Sequence, residues 1–118
     1  MTTGIGLEVI MIVEVRSYRT KPERREEFIR LFESRTVPAQ QACGMGIVGP
    51  LLDMENPNRF VWLRSFPSMA AREEMKAAFY GGDPWQSELA KLALPLLDSY
   101  DVSVCETSEG FVFDGPGE

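Results

Sequence analysis

The stretch Phe60-Val-Trp-Leu-Arg-Ser-Phe66, running straight into Pro67-Ser-Met-Ala-Ala-Arg-Glu-Glu-Met75, decides the fold. Its first seven residues alternate as a strand does, with Phe60, Trp62, Arg64 and Phe66 on one face and Val61, Leu63 and Ser65 on the other. Aromatic and β-branched residues suit a pleated, half-buried surface. Both faces are largely apolar, which predicts a central strand covered on both sides. A helix follows at once. Ser68 is a good N-cap, Gly81 a good stop, and Ala71, Met75, Ala78 and Phe79 make a helical stripe. The reading is that Val61 and Leu63 face the helices. Trp62 and its neighbours then pack against a second copy of the chain.

Working outward, Val9 to Tyr18 reads as the first strand. Val9, Met11, Val13 and Val15 share one face, and Ile10, Ile12, Glu14, Arg16 and Tyr18 the other, which turns polar toward its end. Thr20-Lys-Pro-Glu23 has the form of a capping box with proline in the first turn. The helix it opens carries Phe28, Leu31, Phe32 and Arg35 on one side, and Pro38 predicts a kink or break before the stop at Gly44. Met45 to Met54 is a second strand softened by Gly46, Gly49 and Pro50, which places it at an edge or a bulge. Asp83-Pro-Trp-Gln86 is another helix start, followed by Leu89, Leu92 and Leu96 at helical spacing, with Pro95 ending or bending the helix. Tyr100 to Glu106 is the fourth strand.

The order β-α-β-β-α-β, with right-handed crossovers, predicts an α+β ferredoxin-like sheet of strand order 4-1-3-2 with helices on one face. The open face predicts a twofold homodimer, two sheets closing into an α+β barrel. One domain is expected over residues 1–118, with 1–8 a loose lead-in and 107–118 a tail. That tail contains Phe111-Val-Phe113 and packs either on a partner or on its own subunit.

Composition narrows the function classes. The chain is 44% hydrophobic and 25% charged, an ordinary soluble composition, with a net charge of −6. An acidic chain with no basic cluster beyond Arg24-Arg25 argues against nucleic acid and anionic membrane as partners. The apolar run from Val9 to Val13 is too short to span a bilayer and lacks a basic lead-in, so a cytoplasmic location is expected. Cys43 and Cys105 read as small core residues held reduced. The chain has no histidine, which removes the commonest metal ligand and the usual general base near neutral pH. No glycine-rich phosphate loop is present, and no cofactor or metal is expected.

Taken together, Val13-Glu-Val-Arg-Ser-Tyr18, the Pro22 helix start, the Pro38 interruption, Gly44 with Ile47-Val-Gly49, and Asn58-Arg-Phe-Val-Trp-Leu-Arg-Ser-Phe66 resemble the NIPSNAP family. Arg72-Glu73, Phe79-Tyr80 and Pro84-Trp85 follow at matching distances, so the resemblance runs from about Val13 to Glu106. It implies the dimeric α+β-barrel superfamily, hence a ferredoxin-like fold and a dimer, and says little about activity. Family members are associated with vesicular trafficking and mitochondrial signalling. The wider superfamily includes cofactor-independent monooxygenases and haem-degrading enzymes.

The candidate ligand pocket is Glu14, Arg16, Tyr18, Trp62, Arg64, Arg72 and Trp85. Glu14, Arg16 and Tyr18 alternate on one face of the first strand, where Glu14 falls near Arg64 or Trp62 of the third. They form either a polar cluster that orients a small acid or carbonyl compound, or an ion pair that holds the sheet or dimer together. Arg72 either grips a carboxylate from its helix or stays solvated. Trp85, with Phe79 and Tyr80, either walls a pocket or fills the core, and Trp62 stacks a planar ligand or packs at the interface. The leading expectation is a homodimer binding a small apolar or amphipathic ligand without clear catalysis. The alternatives are a cofactor-independent monooxygenase or isomerase acting on a small aromatic compound, and an interaction module using the tail.

Overall fold

The computed structural model describes residues 10–112. Four antiparallel strands, β1 (Ile12–Thr20), β2 (Gly46–Leu52), β3 (Arg59–Phe66) and β4 (Leu97–Glu106), form one sheet in the order β2-β3-β1-β4. This is the expected order, read from the opposite edge. Between β1 and β2 lie α1 (Arg25–Leu31), a π-helical turn (Phe32–Thr36) and α2 (Val37–Ala42). Between β3 and β4 lie α3 (Met69–Tyr80), a second π turn (Trp85–Leu89), α4 (Ala90–Ala93) and a 3-10 turn (Leu94–Leu96). Among the described residues no helix is long and apolar enough to cross a membrane. The lead-in 1–8 and Phe113 lie outside the described residues, while Phe111 and Val112 are exposed.

The faces of β3 are the reverse of the expectation. Phe60, Trp62, Arg64 and Phe66 are buried under the helices. Phe60 and Trp62 pack in one cluster with Tyr18, Phe28, Phe32, Ala93 and Leu96, and Phe66 in another with Ile12, Met45 and Phe79. Val61, Leu63 and Ser65 lie on the open face beside Val13, Val15 and Ser17 of β1. The reason is volume. The layer between sheet and helices is filled by aromatic rings, which bury the most area per residue. The smaller side chains are left for the other face. Trp62 is therefore a core residue and not an interface residue of the open face.

Local chemistry explains the other departures. Thr20 does not cap a helix. It ends β1, donates its N–H to the Asn58 carbonyl at 2.7 Å, and its hydroxyl donates to the Lys21 carbonyl at 3.0 Å. Glu23, at φ 66°, completes the turn with its N–H on Asn58 Oδ1 at 3.0 Å, so α1 begins only at Arg25. Pro38 does not break its helix. The π turn ahead of it closes through the Val37 N–H on the Phe32 carbonyl, and Pro38 then sits in the first turn of α2, where its missing N–H costs least. Arg35 is exposed and paired with Glu88. Ala78 and Leu92 also prove exposed, the buried helical stripe after Leu89 running to Ala93 and Leu96. Asp83 makes no side-chain cap. Cys105 is exposed and not a core residue, Cys43 half-buried, and both are free thiols. Ser68 caps α3 as expected, its hydroxyl accepting the Ala71 N–H at 3.0 Å.

Candidate functional site

Strand alternation places Ile12, Glu14, Arg16 and Tyr18 in a row on the covered face of β1. The antiparallel register sets Glu14 opposite Arg64, Arg16 opposite Trp62 and Tyr18 opposite Phe60. A carboxylate with no solvent exposure is thereby brought against two buried guanidinium groups. A third arrives from above, since Arg72 lies in the first turn of α3, directly after β3.

Glu14 is the centre of this network. Its Oε1 accepts from Arg16 Nη1 at 2.5 Å and from Arg64 Nε at 2.6 Å, and its Oε2 accepts from Arg72 Nε at 2.7 Å. Burial pushes the Glu14 carboxyl up, but the charge and hydrogen bond of Arg64, then Arg72 and Arg16, outweigh it and hold the pKa below its ordinary value. Arg64 also donates from Nη1 to Gln40 Oε1 at 2.7 Å. Arg72 donates from Nη1 to the exposed Glu73 at 3.0 Å. Arg16 differs. Its Nε and Nη2 both donate to the Tyr18 hydroxyl, at 3.2 and 3.0 Å. Burial works against the Arg16 charge, yet Tyr18, Tyr80 and Glu14 outweigh it and raise its pKa. Burial also pushes the Tyr18 hydroxyl up, against the opposing charge of Arg16, so Tyr18 is neutral at pH 7.

Beside Arg16 is a cavity of about 150 Å³ between sheet and helices. Its walls are mainly aromatic, with Phe32, Trp62, Tyr80 and Trp85 prominent, and Leu94 and Tyr100 at the exposed side. Trp62 is 2% exposed, and its indole N–H has no acceptor among the described residues. The guanidinium of Arg16 lies 5.3 Å from the Trp62 ring centre and 6.0 Å from that of Tyr100.

The seven candidate residues thus divide into two groups. Arg16, Tyr18, Trp62 and Trp85 line the cavity. Glu14, Arg64 and Arg72 form the ion network behind it and are not among its lining residues. Phe79 and Tyr80, weighed with Trp85 as a possible wall, line the cavity too, while Thr36, Gln40 and Tyr100 line it and were not among the candidates. A signal for two of them existed. Phe28, Phe32, Thr36 and Gln40 recur every fourth residue, and two polar residues continuing an apolar stripe mark a buried polar site.

Comparison with known proteins fits this architecture. The NIPSNAP family model matches residues 13–105. A solved NIPSNAP-like domain protein from Burkholderia xenovorans is 25% identical, the match covering 90% of this chain and 91% of that one, with a TM-score of 0.77. A NIPSNAP family protein of unknown function from Agrobacterium tumefaciens is 23% identical over 83% of this chain and 88% of its own, TM-score 0.73. A second from A. tumefaciens is 20% identical over 85% and 88%, TM-score 0.75. No functionally curated protein matches the sequence. With most of its length matched by the family model and the same sheet and helices in its solved relatives, the chain belongs to the NIPSNAP family.

Proposed function

We propose that this protein binds a small amphipathic molecule in the cavity between its sheet and helices, and that it does so as a homodimer joined through the open sheet face. The observation that carries the reading is the aromatic-walled cavity of about 150 Å³ with one charged group, Arg16, at its wall. Ligand sites are typically apolar concavities with a few placed polar groups, which is the composition here. The supporting feature for the dimer is the row Val13, Val15, Val61 and Leu63, apolar and half-buried, on a face that no helix of the described residues covers.

A thermal-shift screen tests the binding reading. A ligand at a hundredfold excess over its Kd stabilises the fold by about 2.7 kcal/mol, which a melting curve resolves easily. Leu94 lines the cavity and is half-exposed, so Leu94→Trp fills its mouth at little cost to the core. Hits from a broad library are expected to lose their shift in that variant. A flat response of the unaltered protein across the library sinks the reading.

A second reading, chemistry on the bound molecule, is favoured by Tyr18, a neutral buried phenol polarised by two guanidinium N–H groups. It predicts oxygen uptake with a quinol-like substrate for an oxygenase, or proton exchange into a bound carbonyl compound for an isomerase. Both activities would be lost in Tyr18→Phe.

A further inference from the structure

The charges and donors around the cavity do not balance. Arg16, Arg64 and Arg72 share the single buried carboxylate of Glu14. Glu73 adds a second carboxylate, but only to Arg72 and from the solvent side. Among the described residues two carboxylates stand against three guanidinium groups, which leaves one positive charge over. Of the three arginines only Arg16 lines the cavity, so the excess can be met by a ligand only there. A buried charge that is not fully matched is strongly unfavourable. The cation–π contacts of Arg16 with Tyr18, Trp62 and Tyr100 offset only part of that cost. Two neutral donors are also unspent. The Tyr18 hydroxyl accepts twice from Arg16 and donates to none of the described residues, and the indole N–H of Trp62 has no acceptor among them. Donors in excess beside a surplus cation call for a molecule that is rich in acceptors and carries a negative charge.

Size and wall chemistry fix the rest of the molecule. A cavity of about 150 Å³ has room for one benzene ring. Phe32, Trp62, Tyr80 and Trp85 offer ring faces and edges to such a ring. Resting on the cavity-binding reading above, we infer that the ligand class is a single-ring aromatic anion, a benzoate or phenolate type. Its oxyanion accepts from Arg16 and the Tyr18 hydroxyl, and the Trp62 N–H supplies a further donor.

Calorimetric titration with benzoate, its neutral isostere benzamide, and toluene tests this. Benzoate is expected to bind roughly tenfold or more tightly than benzamide, the ratio a hydrogen-bonded charge contributes. In Arg16→Gln that ratio is expected to fall to about one while toluene binds unchanged. Toluene or benzamide binding as well as benzoate overturns the anion assignment and leaves the cavity reading standing. No binding by any of the three overturns both. Should Arg16→Gln fail to fold, the unaltered chain still decides. The Trp62 indole N–H resonance, told from that of Trp85 by a Trp85→Phe variant, is expected to move downfield with benzoate and not with toluene. An indole resonance unmoved at saturating benzoate overturns the inference.

Discussion

A single carboxylate holds three arginines, and this makes Glu14 the residue whose loss matters most. Glu14→Gln keeps the shape but leaves Arg16, Arg64 and Arg72 without their shared counter-charge. Breaking one side of a buried ion pair costs about 3–5 kcal/mol. Urea unfolding should report a loss of that size, whereas Glu73→Gln, on a solvated partner, should cost under about 1 kcal/mol. Equal losses from the two would mean the network is not centred on Glu14. The pH dependence follows in sign. The folded Glu14 carboxyl lies below its ordinary value of 4.5, so its contribution is present above that pH and is lost as pH falls through the folded value. Unfolding midpoints measured downward from pH 5 should decline in the unaltered protein, and this part of the decline should be missing in Glu14→Gln. The sequence displayed Glu14, Arg16 and Arg64 plainly. It left open whether they were a structural pair or a ligand site, because that depends on how many cations converge on one carboxylate. Arg72 is 58 residues from Glu14 in the chain, and only the packing of α3 decides where it goes.

At the level of elements, alternation and caps were enough to place the strands, their order and the Ser68 cap. They were not enough to orient them. In β3 both faces are apolar, so period-two patterning defines the two faces without saying which one the helices take. The break expected at Pro38 did not occur there, and the π turn at Phe32–Thr36 ahead of it was not legible, since a π turn is a packing solution with no residue signature of its own. The edge strand β2 was readable through its glycines and proline. Its register shifts between Val48 and Leu51, around Gly49 and Pro50. Gly49 has φ 116°, and a Cβ there would stand 3.0 Å from Trp62 Cβ and 3.1 Å from Trp62 Cα. Gly49→Ala therefore meets both a disfavoured backbone conformation and the backbone of the cavity tryptophan. It should destabilise by more than about 1 kcal/mol in urea unfolding, and an effect within error of zero would show that β2 relaxes freely at the bulge.

The whole molecule is flatter than its length suggests. Its radius of gyration is 15.8 Å and its extents are 48 × 36 × 23 Å, where a compact domain near this size has roughly 13 Å. Among the described residues one layer of helices on one layer of sheet leaves the second sheet face without a cover, and that face is apolar at its centre, where Val15 lies opposite Leu63. Solvent contact there is costly at about 25 cal/mol per Å² of apolar surface. A second copy presenting the same patch across a twofold axis removes that cost with no further residues, which is the ground for the proposed homodimer. The centre of the face carries small and medium apolar residues, so a single charge at its middle should be decisive. Leu63→Lys places an ammonium where the twofold would bring another close to it, and like charges buried together are strongly unfavourable. Light scattering at micromolar concentration should give twice the chain mass for the unaltered protein and the single chain mass for Leu63→Lys. The cavity lies on the other side of the sheet, so benzoate binding by Leu63→Lys should persist in the monomer. A monomeric unaltered protein would refute the dimer. A Leu63→Lys variant that stays dimeric would move the interface to another surface, such as Tyr100, Val102 and Val104, which stand exposed on the covered side of edge strand β4.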